Sequence, residues 1–253
     1  MFSKAIVRKP SRSMIDGITT ANLGKPDYSK ALKQHANYIE ALKYCGLEVK
    51  VLEADEQYPD STFVEDVALC TPHCAIITNP GAPSRRGEVA EMSEVLKAYY
   101  SNIEQILTPG HVEAGDIMMV GNHYYIGLSA RTNLEGANQM IGFLEKYGLS
   151  GSVVDFKEVL HLKTGLAYLE NNKLVACGEF VDHSEFHKFD KIVIPAEESY
   201  AANCIWVNDT VIIPARFPKA KQKTEEAGYP ILEVDVSEFQ KLDGGLSCLS
   251  LRF

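Results

Sequence analysis

The chain has 253 residues, 45% of them hydrophobic and 23% charged, and carries a formal charge of −9. That length fits one large domain or two small ones and is enough to bury a substantial core. The acidic balance argues against a nucleic-acid or anionic-membrane surface, since both need a basic face, and leaves a small cationic ligand open.

The opening "MFSKAIVRKP" reads as a short strand rather than a signal peptide. No stretch approaches ~18 consecutive apolar residues, so no transmembrane helix is expected. With no export signal, the six cysteines (Cys45, Cys70, Cys74, Cys177, Cys204 and Cys248) are expected to be reduced and the protein cytoplasmic. "DYSKALKQHANYIEALKYCG" carries Tyr28, Leu32, Ile39 and Leu42 at helical spacing, with Gly46 placed to end the helix. From there one pattern recurs: strand, polar turn, strand, then loop and helix. It appears as "VEDVALCTPHCAIIT", "AGDIMMVGNHYYIGLS", "TGLAYLENNKLVACG" and "ANCIWVNDTVIIP", with "TPH", "GNH", "ENN" and "ND" as the turns. "RGEVAEMSEVLKAYY", "NLEGANQMIGFLEKYG" and the shorter "KAKQKTEEAG" and "VSEFQK" read as helices between them. The terminal "GGLSCLSLRF" and the initial "SKAIVRK" supply a fifth unit. Such units recur every ~40–50 residues, in the range of repeat architectures. Five could close into a ring, which would remove exposed sheet edges and bring the last strand beside the centre; an open mixed sheet is the alternative.

Alternation along "LSCLSLRF" puts Cys248 with Ser250 and Arg252 on the more polar face of a strand, opposite Leu249, Leu251 and Phe253. Gly244 and Gly245 just before it would let a ligand or another backbone approach closely. Cys248 is thus either a packed core thiol or a nucleophile. A nucleophile needs a histidine. Of the seven, His183 and His187 are expected in solvent, His35 at a surface or core edge, and His73 and His123 in turns, with His111 left open. His161 enters a repeat unit at a loop-to-strand boundary and ranks first. Asp60, Glu65, Asp66, Glu113 and Asp116 enter strands flanked by apolar residues. Acids at such mouths are solvated, paired or functional, and two of them could receive a cation. Arg85, Arg86 and Arg131 follow loops or end strands, where arginine can clamp a carboxylate or simply lie at the surface. Together these groups suggest a zwitterion with a cationic side chain. "CTPHC" lies in a tight hairpin with no second ligand pair, which argues against structural zinc, and no phosphate-binding glycine motif occurs.

The segments "FVEDVA", "ITNPGAPSRRGE", "EAGDIMMVG", "IGLSARTN", "VLHLKTG", "AANCIWVN" and "DGGLSCLSLRF" resemble the dimethylarginine dimethylaminohydrolases, particularly the bacterial ones. The resemblance runs from the first strand to the last residue. It implies a single domain over residues 1–253: the five-bladed α/β propeller of ββαβ repeats found in guanidine-modifying enzymes, with both chain ends sharing one blade. It implies that Cys248 is the nucleophile, His161 the general acid and base, and Glu113 its carboxylate partner. Glu65 and Asp66 would bind the guanidinium, Asp60 would lie near the substrate amino group, and Arg85 and Arg131 would clamp the carboxylate. Backbone contacts to the amino group would come from Ile18, on the candidate lid "MIDGITTANLGKPD", and from Leu242.

The reaction so implied is hydrolysis of N-ω-methylated L-arginine to citrulline and a methylamine through a covalent thiouronium, with no metal and no other cofactor. The partner would be a small-molecule substrate, with neither nucleic acid nor membrane, and a homodimer is compatible. Arginine deiminases resemble this set but carry an Asp two positions after the His and a helical insertion. Here Lys163 holds that position and the chain is too short for the insertion, which favours methylated arginine. An arginine deiminase and a non-enzymatic propeller protein are the competing readings.

Overall fold

The computed structural model describes all residues, 1–253. In chain order, β1 (Lys4–Arg8) leads through α1 (Tyr28–Tyr44) to β2 (Glu48–Leu52). Then come β3 (Ala68–Cys70), β4 (Ala75–Ile77), α2 (Val89–Leu96) and β5 (Ile103–Gln105), and after them β6 (Ile117–Val120), β7 (His123–Leu128), α3 (Leu134–Lys146) and β8 (Ser150–Asp155). The short α4 (Leu162–Gly165) opens the next repeat, β9 (Leu166–Tyr168), β10 (Lys173–Ala176) and β11 (Asp190–Val193). The last elements are β12 (Ile205–Val207), β13 (Thr210–Pro214), α5 (Pro218–Glu226), β14 (Ile231–Val234), α6 (Ser237–Gln240) and β15 (Leu251–Arg252).

These strands form five three-stranded sheets of one design. A short hairpin pairs the first two strands antiparallel, and the third lies parallel to the middle one, as in β6–β7 and β7–β8. Parallel pairing requires a crossover, which explains the helix in four of the five repeats. β10 reaches β11 through two 3-10 turns, Gly178–Phe180 and Ser184–Phe186, instead of a helix. The fifth sheet, β15–β1–β2, is built from both chain ends: β15 pairs antiparallel with β1, and β1 parallel with β2. The turn chemistry matches the sequence: Asn208 and Asp209, between β12 and β13, both adopt left-handed backbone.

The chain divides into two compact units. The first comprises residues 1–64 and 165–253, with three of the sheets. One of its cores packs Tyr38 and Leu42 of α1 against Val7, Ile212 and Phe239. A second lies around Val175, Val211 and Ile213. The second unit, residues 65–164, holds two sheets around Ile76, Tyr124, Met140 and Leu144. α1 begins at Asp27, whose side chain accepts the Lys30 N–H, and ends before Gly46, whose positive φ supplies the turn out. No helix is long and apolar enough to cross a membrane.

Two expectations need correction. Cys248 does not lie on a strand: Ser247–Leu249 is a 3-10 turn, and β15 begins only at Leu251. The strand faces inferred from alternation therefore do not exist there, and Cys248, Ser247, Leu249 and Ser250 are all buried. His35 is buried too, not at an edge. Burial, with the Lys9 charge, pushes its pKa down to about 4, so it is neutral.

Candidate active site

A short helical turn precedes the first strand of every repeat: Val64–Val67, Ala114–Asp116, α4, Ala196–Ala202 and Ser247–Leu249. These turns bring polar side chains to the same point of each unit. They carry Glu65 and Asp66, then Asp116 with Glu113 just ahead of it, while His161 precedes α4 and Cys248 lies on the last. Asn203 ends the fourth.

In the second unit these groups converge. His161 Nε2 donates to Glu113 Oε2 at 2.9 Å. Glu113 Oε1 accepts the Ala82 N–H at 3.0 Å and faces Arg131 Nη1 at 3.5 Å. Asp66 accepts from the Gly115 N–H (3.1 Å) and from Arg85 Nη1 (2.5 Å). Arg85 also donates through Nε and Nη2 to both oxygens of Glu88. Gly115 is required by this geometry: a Cβ there would lie 2.8 Å from both Asp66 Oδ1 and His161 Nδ1. Asp116, fully buried, accepts the Leu162 N–H and the Ser129 hydroxyl and so anchors the turn after His161.

The charges follow from this packing. Burial works against protonation of His161, but Asp116, the hydrogen bond to Glu113 and the charge of Asp66 outweigh it and lift its pKa to about 9. Burial would raise the Glu113 carboxyl, yet bonded, cationic His161, Arg85 and the Ala82 N–H hold it below the usual range. Burial pushes Asp116 up. His161 is therefore a cation at neutral pH, a proton donor placed among acids. Asp66, Glu113 and His161 offer ligand atoms within 4.8 Å of one another, a grouping that could hold a metal ion. A metal needs neutral histidine, whereas this environment favours the protonated ring; a planar organic cation bound by the carboxylates fits it better.

Glu65, beside Asp66, accepts from Lys163 Nζ at 2.6 Å in a nearly buried ion pair. Arg85 and Arg131, expected to clamp a carboxylate, are both engaged with acids here; Arg85 is the more buried, and Arg131 keeps part of its surface open.

In the first unit, Cys248 Sγ lies 3.4 Å from the Gly245 nitrogen, within range of its N–H, and 3.9 Å from Ser247 Oγ. The space expected at the glycine pair is filled by the protein itself: a Cβ on Gly244 would strike the Phe63 ring, and one on Gly245 the Asn203 amide. Asp60 is buried and accepts the Ile18 N–H at 3.0 Å, which fixes the start of the candidate lid. Thr19 donates to the Lys241 carbonyl, and Thr20 donates to Asp243 through both its N–H and its hydroxyl. Leu242 is buried, just before left-handed Asp243. The structure thus assembles Glu65, Asp66, Arg85, Glu113, Arg131 and His161 in one unit, and Ile18, Asp60, Leu242 and Cys248 in the other. The pattern of residues missed Asp116's anchoring of the His161 turn, Glu88's grip on Arg85, and Asn203. Asp116 and Glu113 share one motif that does not rank them, Glu88 falls in the helical segment "RGEVAEMSEVLKAYY", and Asn203 in the strand-forming segment "ANCIWVNDTVIIP".

A family model described as N,N-dimethylarginine dimethylhydrolase, eukaryotic, matches residues 20–200. The dimethylarginine dimethylaminohydrolase of Pseudomonas aeruginosa is 60% identical over 254 aligned residues, covering 100% of both chains. The chain belongs to the dimethylarginine dimethylaminohydrolase family. A Cys-to-Ser variant of the P. aeruginosa protein complexed with citrulline superposes with a TM-score of 0.99 at 60% identity, covering 100% of both chains. A His-to-Gly variant of a dimethylarginine dimethylaminohydrolase, in adduct with S-methyl-L-thiocitrulline, matches equally well (TM-score 0.99, 60% identity, 100% of both chains). The fold class is that of the family, a five-bladed α/β propeller of ββαβ repeats.

Proposed function

We propose that this chain hydrolyses N-ω-methylated L-arginines, asymmetric dimethylarginine and monomethylarginine, to L-citrulline and dimethylamine or methylamine. The observation that carries the reading is the protonated His161 held by Glu113, with Asp66 beside it: a proton donor next to an acceptor for a guanidinium. Asp66 and Glu65 orient the planar cation, and Arg131 with Arg85 receives the substrate carboxylate. Asp60 and the backbone of Ile18 and Leu242 receive the amino group. The Cys248 thiolate attacks the guanidinium carbon, and His161 gives its proton to the methylated nitrogen as the C–N bond breaks. Dimethylamine leaves and an S-alkylthiouronium remains. Neutral His161 then takes a proton from water, whose oxygen bonds to the same carbon. The C–S bond breaks, returning the thiolate, and the second water proton passes to solvent, where the released amine takes it up, leaving the neutral ureido group of citrulline.

The Lys163–Glu65 ion pair supports methylated over free arginine, because this ammonium competes with an unsubstituted NH₂ for the same acid. The proposed setting is cytoplasmic, in keeping with six free thiols. The test is product analysis with trapping. Asymmetric dimethylarginine should yield citrulline and dimethylamine, with an adduct located on Cys248 by mass spectrometry, and Cys248→Ser should abolish turnover. Ammonia from arginine as the faster reaction would point to a deiminase instead.

A further inference from the structure

Asn203 closes the turn before β12, and Cys248 lies within the turn before β15. The Asn203 side chain is buried, and its amide reaches Ser247 in two ways. Oδ1 accepts the Ser247 N–H at 3.0 Å, and Nδ2 donates to Ser247 Oγ at 3.1 Å. The first bond fixes the amide orientation, because a backbone N–H can only donate. The second fixes the hydroxyl, because an NH₂ can only donate as well: Ser247 Oγ must accept, and its own proton points elsewhere. Cys248 Sγ lies in range at 3.9 Å. Gly245 donates its N–H to the same sulfur and lacks the Cβ that would come within 2.4 Å of the Asn203 amide carbon.

We propose that Asn203 is a positioning residue for the nucleophile: its amide turns the Ser247 hydroxyl so that Ser247 and Gly245 both donate to the Cys248 sulfur. Hydrogen bonds to the charged form favour it, so the pair of donors raises the thiolate fraction before attack. The inference rests on Cys248 being the nucleophile, as proposed above.

Asn203→Asp is the sharpest probe. It keeps the shape and the acceptor for the Ser247 N–H, but replaces the donor by a second acceptor, which draws the Ser247 proton away from sulfur. Ser247→Ala removes the hydroxyl with less disturbance, should a carboxylate at position 203 impair folding. Alkylation of Cys248 by iodoacetamide, located by mass spectrometry, and steady-state turnover of asymmetric dimethylarginine are measured for each variant and for the double variant. Alkylation and kcat should fall about tenfold in either single variant, the effect of one hydrogen bond to a charged group, with KM nearly unchanged. The double variant should lose no more than either single, because both act through one proton. Parent-like alkylation in Ser247→Ala, or losses that add in the double variant, would overturn the proposal. Cys248→Ser separates the two readings: if it still turns over substrate, the nucleophile assignment fails; if it is inactive while Ser247→Ala alkylates normally, only the role of Asn203 fails.

Discussion

His161 is buried and still cationic because Asp116, Glu113 and Asp66 surround it. That charge also contributes to stability. Its folded pKa, about 9, lies above the ordinary histidine value near 6.5. The contribution is therefore fully present below about pH 6.5 and lost as pH rises through about 9. Glu113→Gln keeps an acceptor for the Ala82 N–H but removes the charge opposite the ring. The parent should melt above this variant at about pH 6, and the gap should narrow toward about pH 9.5. Thermal unfolding across that range checks it; a constant gap would mean that the pair does not set the His161 charge. The residue types at the site were legible, since a Cys, a His and strand-mouth acids each announce chemistry. Their partners were not. Nothing local tells that Asp116 anchors the turn of His161, or that Asn203 faces Ser247, because both contacts join segments more than forty residues apart.

At the scale of elements, the short turn before each first strand does most to place function. Sequence alternation overlooked it and extended β15 backward through Cys248, because "LSCLS" alternates in composition whether or not it is extended. The third strand of each repeat was equally hard to see: "IEQ" is three residues long and carries no period of its own. The candidate lid, by contrast, was read from "MIDGITTANLGKPD", and the structure supplies its fastening. Ile18 is held by Asp60, Thr19 by the Lys241 carbonyl and Thr20 by Asp243. Asp243 has φ +57°, a conformation that glycine adopts freely, so Asp243→Gly deletes the carboxylate without straining the backbone. This variant should raise KM for methylated arginine severalfold with a smaller change in kcat, and should open residues 17–25 to limited proteolysis. An unchanged KM together with parent-like protection would show that the Thr20–Asp243 contact does not hold the loop.

For the whole chain, the repeat was the legible feature, since hairpins with strong turn residues recur at even spacing. The sequence builds its fifth member from the two chain ends, and the pairing of Ala5 with Arg252 and Ile6 with Leu251 bears this out. The cost of building one sheet from distant segments is that neither end is dispensable. Phe253 accepts from the Ser3 and Lys4 N–H groups and donates to the Lys4 carbonyl, and Leu251 is buried. The segment is held from the other side by Tyr38, whose hydroxyl meets the Leu246 carbonyl and Ser250 Oγ. Removing residues 251–253 would expose the edge of β1, lose a buried leucine worth about 2 kcal/mol, and break backbone hydrogen bonds worth about 1 kcal/mol each. For a chain of this size that total lowers the melting temperature by roughly 10 °C or more. Because Ser250 and the Cys248 turn lie immediately upstream, kcat should fall as well, even well below the new melting temperature. Calorimetry and turnover on the truncated chain test both parts. A melting temperature within about 2 °C of the parent, a shift worth less than about 1 kcal/mol, would mean that β1 is secured by β2 and α1 without the C-terminal strand.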